Sequence, residues 1–343
     1  MTKKTVLDLK KKVPNIEGEV VYESIVNNPQ SFANVEEELE KIGWVTRIDS
    51  EGQAGIYSYQ LPMAKLIRTF KEIVLDLATN HSFQEMIFPR HYRQEALNAF
   101  GWIENEKLMY ELMKTTPLHA NKDRSNYELL SDPVQCLGFY ETLRVIQKNN
   151  KGILPKSLFK EDILRVYEDQ GGWTLRNELK SRLKGGFATG FEFSGAELVW
   201  AGTREKTYKT RWEVLSAVIE LVSNLNLSFR VVVGGSCSRD KKYPNLIGQI
   251  MPLYEIPTLD IELLVPLPNE DKKNWIEIGG GDIAGTRLTD NFGLKSDFGS
   301  VFSGCQGVGW QRLAYAFLSQ KGLDTKSWPK IVRDKFEKAT LNK

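Results

Sequence analysis

Cysteine is scarce in this chain: three are found in 343 residues, at positions 136, 237 and 305. Thiols so few and so widely separated make no disulfide framework, and nothing in them points to an oxidising compartment. Histidine is as rare, and His81, His91 and His119 show no metal-ligand spacing. An excess of charge is also missing, since 46 Lys+Arg stand against 44 Asp+Glu for a net of +2. That balance excludes the strongly basic profile of a general nucleic-acid binder. No apolar run reaches the ~18 residues that a membrane-crossing helix needs. The first seven residues, MTKKTVL, lack the apolar core of a signal peptide. Repeats and low-complexity segments are absent. The expectation is a cytoplasmic protein with reduced thiols and no membrane partner.

What is present is a hydrophobic content of 41%, enough for a substantial core. Residues 1–55 read as a small N-terminal appendage, with a charged helix over 35–42, a strand over 44–48 and a linker over 50–55. Residues 56–325 read as the main body and 326–343 as a C-terminal tail. Met63, Leu66, Ile67, Phe70, Ile73, Val74 and Leu77 recur at helical spacing and predict a helix over 61–80. Strand patterns follow over 84–88, 190–200, 228–233, 259–265 and 275–278, with helices over 211–224 and 307–320. The charged stretch 145–172 reads as an insertion. This order of elements predicts an α+β fold with a mainly antiparallel sheet flanked by helices.

The densest local signal is SGCQGVGWQR, residues 303–312. A cysteine precedes Gly-x-Gly-x-x-Arg, and an apolar helical pattern follows. The glycines let a ligand approach the backbone, and a helix N-terminus with Arg312 on its first turn suits a polyphosphate. By itself this pattern is weak.

Three further pieces join it. Phe88-Pro89 follows a long helix. Arg176-x-Glu178 is followed, after a variable loop, by Phe193-Ser194-Gly195-Ala196-Glu197. Two strands, around Asp260–Pro266 and Trp275–Ile278, precede the glycine motif. Together they resemble the three signatures of class II aminoacyl-tRNA synthetases. Cys136 in LSDPVQC, Glu197 and Cys305 resemble the zinc site of a subgroup holding archaeal-type seryl-tRNA synthetases and amino acid:carrier protein ligases. The stretch 304–322 is most similar to the ligases. The resemblance covers roughly residues 60–322.

The resemblance implies ATP-dependent adenylation of a small α-amino acid by a homodimer, with an antiparallel class II sheet as scaffold. Arg176 would grip the α-phosphate and the carboxylate, and Arg312 the γ-phosphate. Glu178 and Phe193 would hold the adenine, and Glu277 would bind Mg²⁺. Zn²⁺ on Cys136, Glu197 and Cys305 would keep one position open for the substrate's α-amine. Gly281 and Asp282, in the run GGGD, would line the amino-acid pocket. The acceptor implied is the phosphopantetheine thiol of a carrier protein, and tRNA is not expected; transfer to tRNA, a peptide or a small molecule, or a non-catalytic paralogue, are the alternatives. Lys206, Lys209 and Arg211 form a small basic cluster that reads as a solvated face or a meeting point for an acidic carrier. Pro89 reads as structural, near the dimer interface, and Cys237 as a loop thiol.

Three positions depart from the family pattern. Thr189 stands where an Arg or His is usual, Gln311 precedes Arg312, and the glycine run with Asp282 replaces an Asn.

Overall fold

The computed structural model describes residues 7–27, 35–48, 56–101, 114–115, 129–131, 134–169, 174–175, 192–235, 246–265 and 274–339. Its centre is an eight-stranded sheet. The strands are β1 (Val20–Ser24), β2 (Gln84–Glu85), β3 (Ile163–Glu168), β4 (Gly195–Gly202), β5 (Phe229–Val233), β6 (Thr258–Val265), β7 (Asn274–Gly285) and β8 (Phe302–Gly309). Their spatial order is β1-β5-β6-β7-β8-β4-β3-β2. Every pairing is antiparallel except the edge pair β2–β3, which is parallel. The α+β class and the antiparallel core match the expectation.

Eight helices are described: α1 (Val35–Lys41), α2 (Leu61–Asn80), α3 (Gln94–Phe100), α4 (Leu137–Asn149), α5 (Arg204–Asn224), α6 (Arg287–Asn291), α7 (Trp310–Lys321) and α8 (Lys330–Lys338). Strand periodicity splits the core between the two faces of the sheet. On β4, Leu198 and Trp200 pack with α2, α5 and α7, whereas Val199 and Ala201 pack with α3, α4 and α6. Helix α7 is buried along its whole length, which accounts for its apolar sequence.

Several boundaries differ from the sequence reading, each for a physical reason. The stretch 145–172 is no insertion, because it carries the end of α4 and the inner strand β3, whose residues Ile163, Leu164, Val166 and Tyr167 are buried. Residues expected as an appendage join the main body: β1 pairs with β5, and Leu7, Val13, Val35, Leu39 and Val45 enter the large core cluster. The tail is anchored as well, with Trp328 and Val332 buried. Helix α5 starts at Arg204, so Arg211 is fully buried under the sheet and not part of a solvated basic face. Strand β2 stops at Glu85, short of Phe88.

Two glycine segments were the least legible. Gly307–Gly309 ends β8 and does not open the helix, which starts at Trp310. The run Gly279–Gly281 lies inside β7, despite the low strand propensity of glycine. A Cβ on Gly279 would stand 1.9 Å from the carbonyl oxygen of Gly307, so β7 and β8 can approach there only without a side chain.

Candidate active site

A cavity opens on the sheet face opposite α5 and α7. It is floored by β6, β7, β8 and β4 and bounded by the segment 134–136 that leads into α4. Residues from four separated stretches of the chain meet in it: Cys136, then Glu197, then Glu277 and Asp282, and finally Cys305 and Arg312.

The ligand atoms of Cys136, Glu197 and Cys305 all lie within 4.8 Å of one another. Sheet register explains two of the three. Val199 is the cross-strand partner of Cys305, and Glu197 is paired with Gly307 two positions on, so Glu197 and Cys305 are diagonal neighbours on one face. Cys136 arrives from the far side, at the N-terminal end of α4, where the helix dipole favours negative charge. Both cysteines are buried and reduced. Tyr140, one turn into α4, sits beside the group with its hydroxyl 3.1 Å from Ser303 Oγ. Burial first, then Cys136 and Cys305, push that hydroxyl far up its titration range.

The loop that delivers Cys136 is fixed by a residue that the motif comparison overlooked. Gln135 Nε2 donates to Glu168 Oε2 at 2.9 Å and to the Gly195 carbonyl at 2.7 Å, tying the loop to β3 and β4. Glu168 is fully buried and pairs with Arg90, the residue after the Phe88-Pro89 signature. Phe88 itself is buried against Gly138 of α4. The first signature thus supports the helix that carries Cys136. Adjacency to Cys136 was the sequence clue to Gln135.

Arg312 occupies the first turn of α7 and reaches back into the cavity. Its Nη1 lies 3.8 Å from Glu277 Oε2 and 3.3 Å from the Glu277 carbonyl. The Glu277 side chain is about half exposed at the cavity mouth. Gln311, the departure beside Arg312, has a structural task. Its Oε1 accepts the Ser194 N–H at 2.9 Å, and Trp310 N–H donates to the Ser194 carbonyl at 2.8 Å, so the second signature is bonded to the start of α7.

The amino-acid pocket expected at Gly281 and Asp282 divides between the two sheet faces. Asp282 lines the cavity, cross-strand from Cys305, and its Oδ1 accepts a 2.6 Å hydrogen bond from Thr258 Oγ1. Gly281 faces away, toward Gln306 and Leu215, and its neighbours Gly279 and Gly280 line the cavity in its place. Asp260, not singled out by the motifs, also lines the cavity. Burial and the nearby Glu277, Glu262, Asp282 and Glu17 hold its carboxyl well above the usual carboxylate range. Arg176, Glu178, Thr189, Cys237 and the side chain of Phe193 lie outside the described residues.

No family model matches the chain. Among curated proteins, it is 27% identical over 331 residues to the type-2 serine–tRNA ligase of Methanococcus aeolicus, covering 87% of this chain and 58% of that protein. It is 27% identical over 368 residues to the type-2 serine–tRNA ligase of Methanopyrus kandleri, covering 96% of this chain and 65% of that one. The chain thus spans less than two thirds of the length of these relatives. Among solved structures, the M. kandleri SerRS in complex with A. aeolicus tRNASec superposes with a TM-score of 0.75 at 23% identity, over 94% of this chain and 64% of that one. The seryl-tRNA synthetase of Pyrococcus horikoshii complexed with ATP gives a TM-score of 0.66 at 13% identity, over 91% and 64%. No helix of the described residues is long and apolar enough to cross a membrane. The chain carries the class II aminoacyl-tRNA synthetase fold, and the curated relatives it matches are archaeal type-2 serine–tRNA ligases.

Proposed function

We propose that this site activates an α-amino acid with ATP and passes the aminoacyl group to tRNA, a tRNA hydroxyl oxygen bonding to the carbonyl carbon and losing its proton as AMP leaves with the electron pair of the carbonyl–phosphate bond. A carboxylate oxygen of the amino acid attacks the α-phosphorus of ATP. The bond from that phosphorus to the β-phosphate bridging oxygen breaks, and pyrophosphate leaves with its electron pair. The observation that carries the reading is the convergence of Cys136, Glu197 and Cys305 in one cavity with Arg312 and Glu277.

The donor set fits zinc. Two sulfurs and a carboxylate oxygen within 4.8 Å of one another suit a tetrahedral ion with ligand bonds of about 2.0–2.3 Å. When bound there, zinc offers a Lewis-acid seat for a neutral α-amine. The chain's own residues supply the rest. Arg312 binds the γ-phosphate. Glu277, exposed at the mouth, would hold Mg²⁺ as a hard oxygen ligand. Arg176 holds the α-phosphate and the carboxylate, with Glu178 and Phe193 at the adenine. No side-chain nucleophile is required, because fixed charges and position lower the barrier.

The relatives support tRNA as acceptor better than the phosphopantetheine thiol expected from the sequence, since those matched are tRNA ligases. The expectation that tRNA plays no part is therefore set aside. The core of this activity spans about residues 56–325 in the proposal, acting as a homodimer.

Amino-acid-dependent ATP–pyrophosphate exchange on zinc-loaded protein tests the activation half. Acylation of bulk tRNA, set beside acylation of a holo-carrier protein, tests the transfer half. Exchange without charging of tRNA, but with charging of the carrier, would return the acceptor to a carrier protein. A zinc-loaded protein that exchanges with no amino acid would sink the activation reading.

A further inference from the structure

We propose that Gln135 is a substrate-binding residue: its Oε1 accepts a hydrogen bond from an N–H of the amino acid's α-amine while that nitrogen sits at the cysteine–glutamate group. The inference rests on the amino-acid activation reading.

The amide of Gln135 is held in one orientation. Its Nε2 lies 2.9 Å from Glu168 Oε2 and 2.7 Å from the Gly195 carbonyl oxygen. Glu168, ion-paired with Arg90, is a carboxylate, and a carboxylate and a carbonyl can only accept. The nitrogen end must therefore face them, and both of its N–H groups are engaged. The oxygen is the end left over, and it has no partner among the described residues. Gln135 is only 8% exposed, yet this oxygen is not enclosed by protein, and the open space that the residue meets is the cavity it lines. An acceptor fixed at such depth is costly to leave without a donor.

Position decides which donor. Gln135 precedes Cys136 in the chain. The carbonyl it binds belongs to Gly195, two residues before Glu197 and on the same face of β4. Its other partner, Glu168, is the cross-strand neighbour of Glu197, a pairing that sets Cβ atoms about 5 Å apart. The amide is thus tied to both segments that carry the first two members of the candidate metal group.

The chemistry of the oxygen narrows the partner further. It has no use for the phosphates or the carboxylate of the substrates, which are acceptors themselves. A neutral α-amine suits it, because the nitrogen lone pair goes to the metal and two N–H groups remain to be donated. Gln135 would then read a primary amine, and would do so equally for every side chain that follows.

The test uses the zinc-loaded full chain, with zinc content checked by elemental analysis. Serine, alanine, glycine and N,N-dimethylglycine are titrated calorimetrically, and the first three are also assayed by pyrophosphate exchange. Neutral N,N-dimethylglycine keeps the lone pair and has no N–H, and it should bind the unaltered protein at least about tenfold more weakly than glycine. Gln135→Lys keeps a donor for Glu168 and Gly195 and removes the acceptor; Gln135→Met removes both. At full zinc content each variant should weaken serine, alanine and glycine by a common factor of about tenfold. A loss confined to serine would move the contact to the side-chain hydroxyl and overturn the inference. Equal binding of glycine and N,N-dimethylglycine would overturn it too. So would variants that lower zinc affinity alone and bind all three amino acids normally once zinc is saturating, since Gln135 would then only position Cys136. The common loss in the variants, without exchange in the unaltered protein, would support the amine contact and sink activation. Neither binding nor exchange with any amino acid would overturn both. Should both variants fail to fold or to hold zinc, glycine against N,N-dimethylglycine on the unaltered protein still decides.

Discussion

Phe88 lies directly over Gly138, where an added Cβ would meet the Phe88 Cβ at 2.4 Å and the Tyr92 hydroxyl at 2.5 Å. One is the first residue of the Phe-Pro signature; the other is two positions after a candidate metal ligand. Gly138→Ala must push α4 away from Phe88 and carry Cys136 with it. The expected result is a loss of about 1–3 kcal/mol in denaturant-measured stability. Zinc affinity, read by competition with a chromophoric chelator, should drop at least about tenfold. Unchanged zinc affinity would show that the contact does not position Cys136.

Cys136→Ser and Cys305→Ser each remove one of three donors. Zinc content by elemental analysis should fall from about one per chain to near zero in each single variant, because a three-residue set with an open position has no spare ligand. Circular dichroism should stay close to that of the parent protein. One zinc per chain surviving in either variant would move the metal elsewhere.

Arg312→Ala should leave zinc content untouched and lower exchange by about 10²–10³, the usual loss when one preorganised charge is withdrawn from developing negative charge. Freed from Arg312, Glu277 gains exposure, so a small rise in Mg²⁺ requirement should accompany the loss. Normal exchange in this variant would remove Arg312 from the phosphate site.

Asp260 gives a pH dependence with a definite sign. Its folded-state carboxyl is raised above the ordinary value, so its contribution to stability is present in full below the ordinary carboxyl range and is lost as pH rises through the folded value. In zinc-free protein, Asp260→Asn should therefore match the parent near about pH 4 and exceed it in stability near about pH 7. Urea denaturation at the two pH values checks this. A gap that shrinks toward neutrality would reverse the sign and discard the account.

The sequence shows the outline of this arrangement more clearly than its joints. Helix α2 follows its apolar spacing from Leu61 to Asn80 without a shift. Strand β6 also declares itself, since Leu259, Ile261 and Leu263 are fully buried while Thr258, Asp260 and Glu262 alternate with them. That alternation puts Asp260 on the face opposite Leu259 and Ile261. Strand β3 was hidden because Lys160, Glu161 and Asp162 precede it and lend the window a solvated look. The extent of β7 was hidden because glycine is a poor strand former, and only the approach of the Gly307 carbonyl explains its presence. Convergence of Cys136, Glu197 and Cys305 could be expected from family likeness alone, as nothing in their separation brings them together. Gln135 and Glu168 are bonded across 33 residues, a relation that no local pattern records.

Strand β8 is the last of the eight strands in the chain yet lies in the middle of the sheet, between β7 and β4. During synthesis the sheet therefore exists as two halves with bare inner edges until residue 309 has left the ribosome. The same strand brings Cys305, so the metal group cannot close before the sheet does. Exposed edges of this kind are the segments most prone to pairing with a foreign strand. A nascent chain stalled before residue 302 should be a strong chaperone client, while emergence of β8 should bury both edges and bring Cys305 to the cavity in one event.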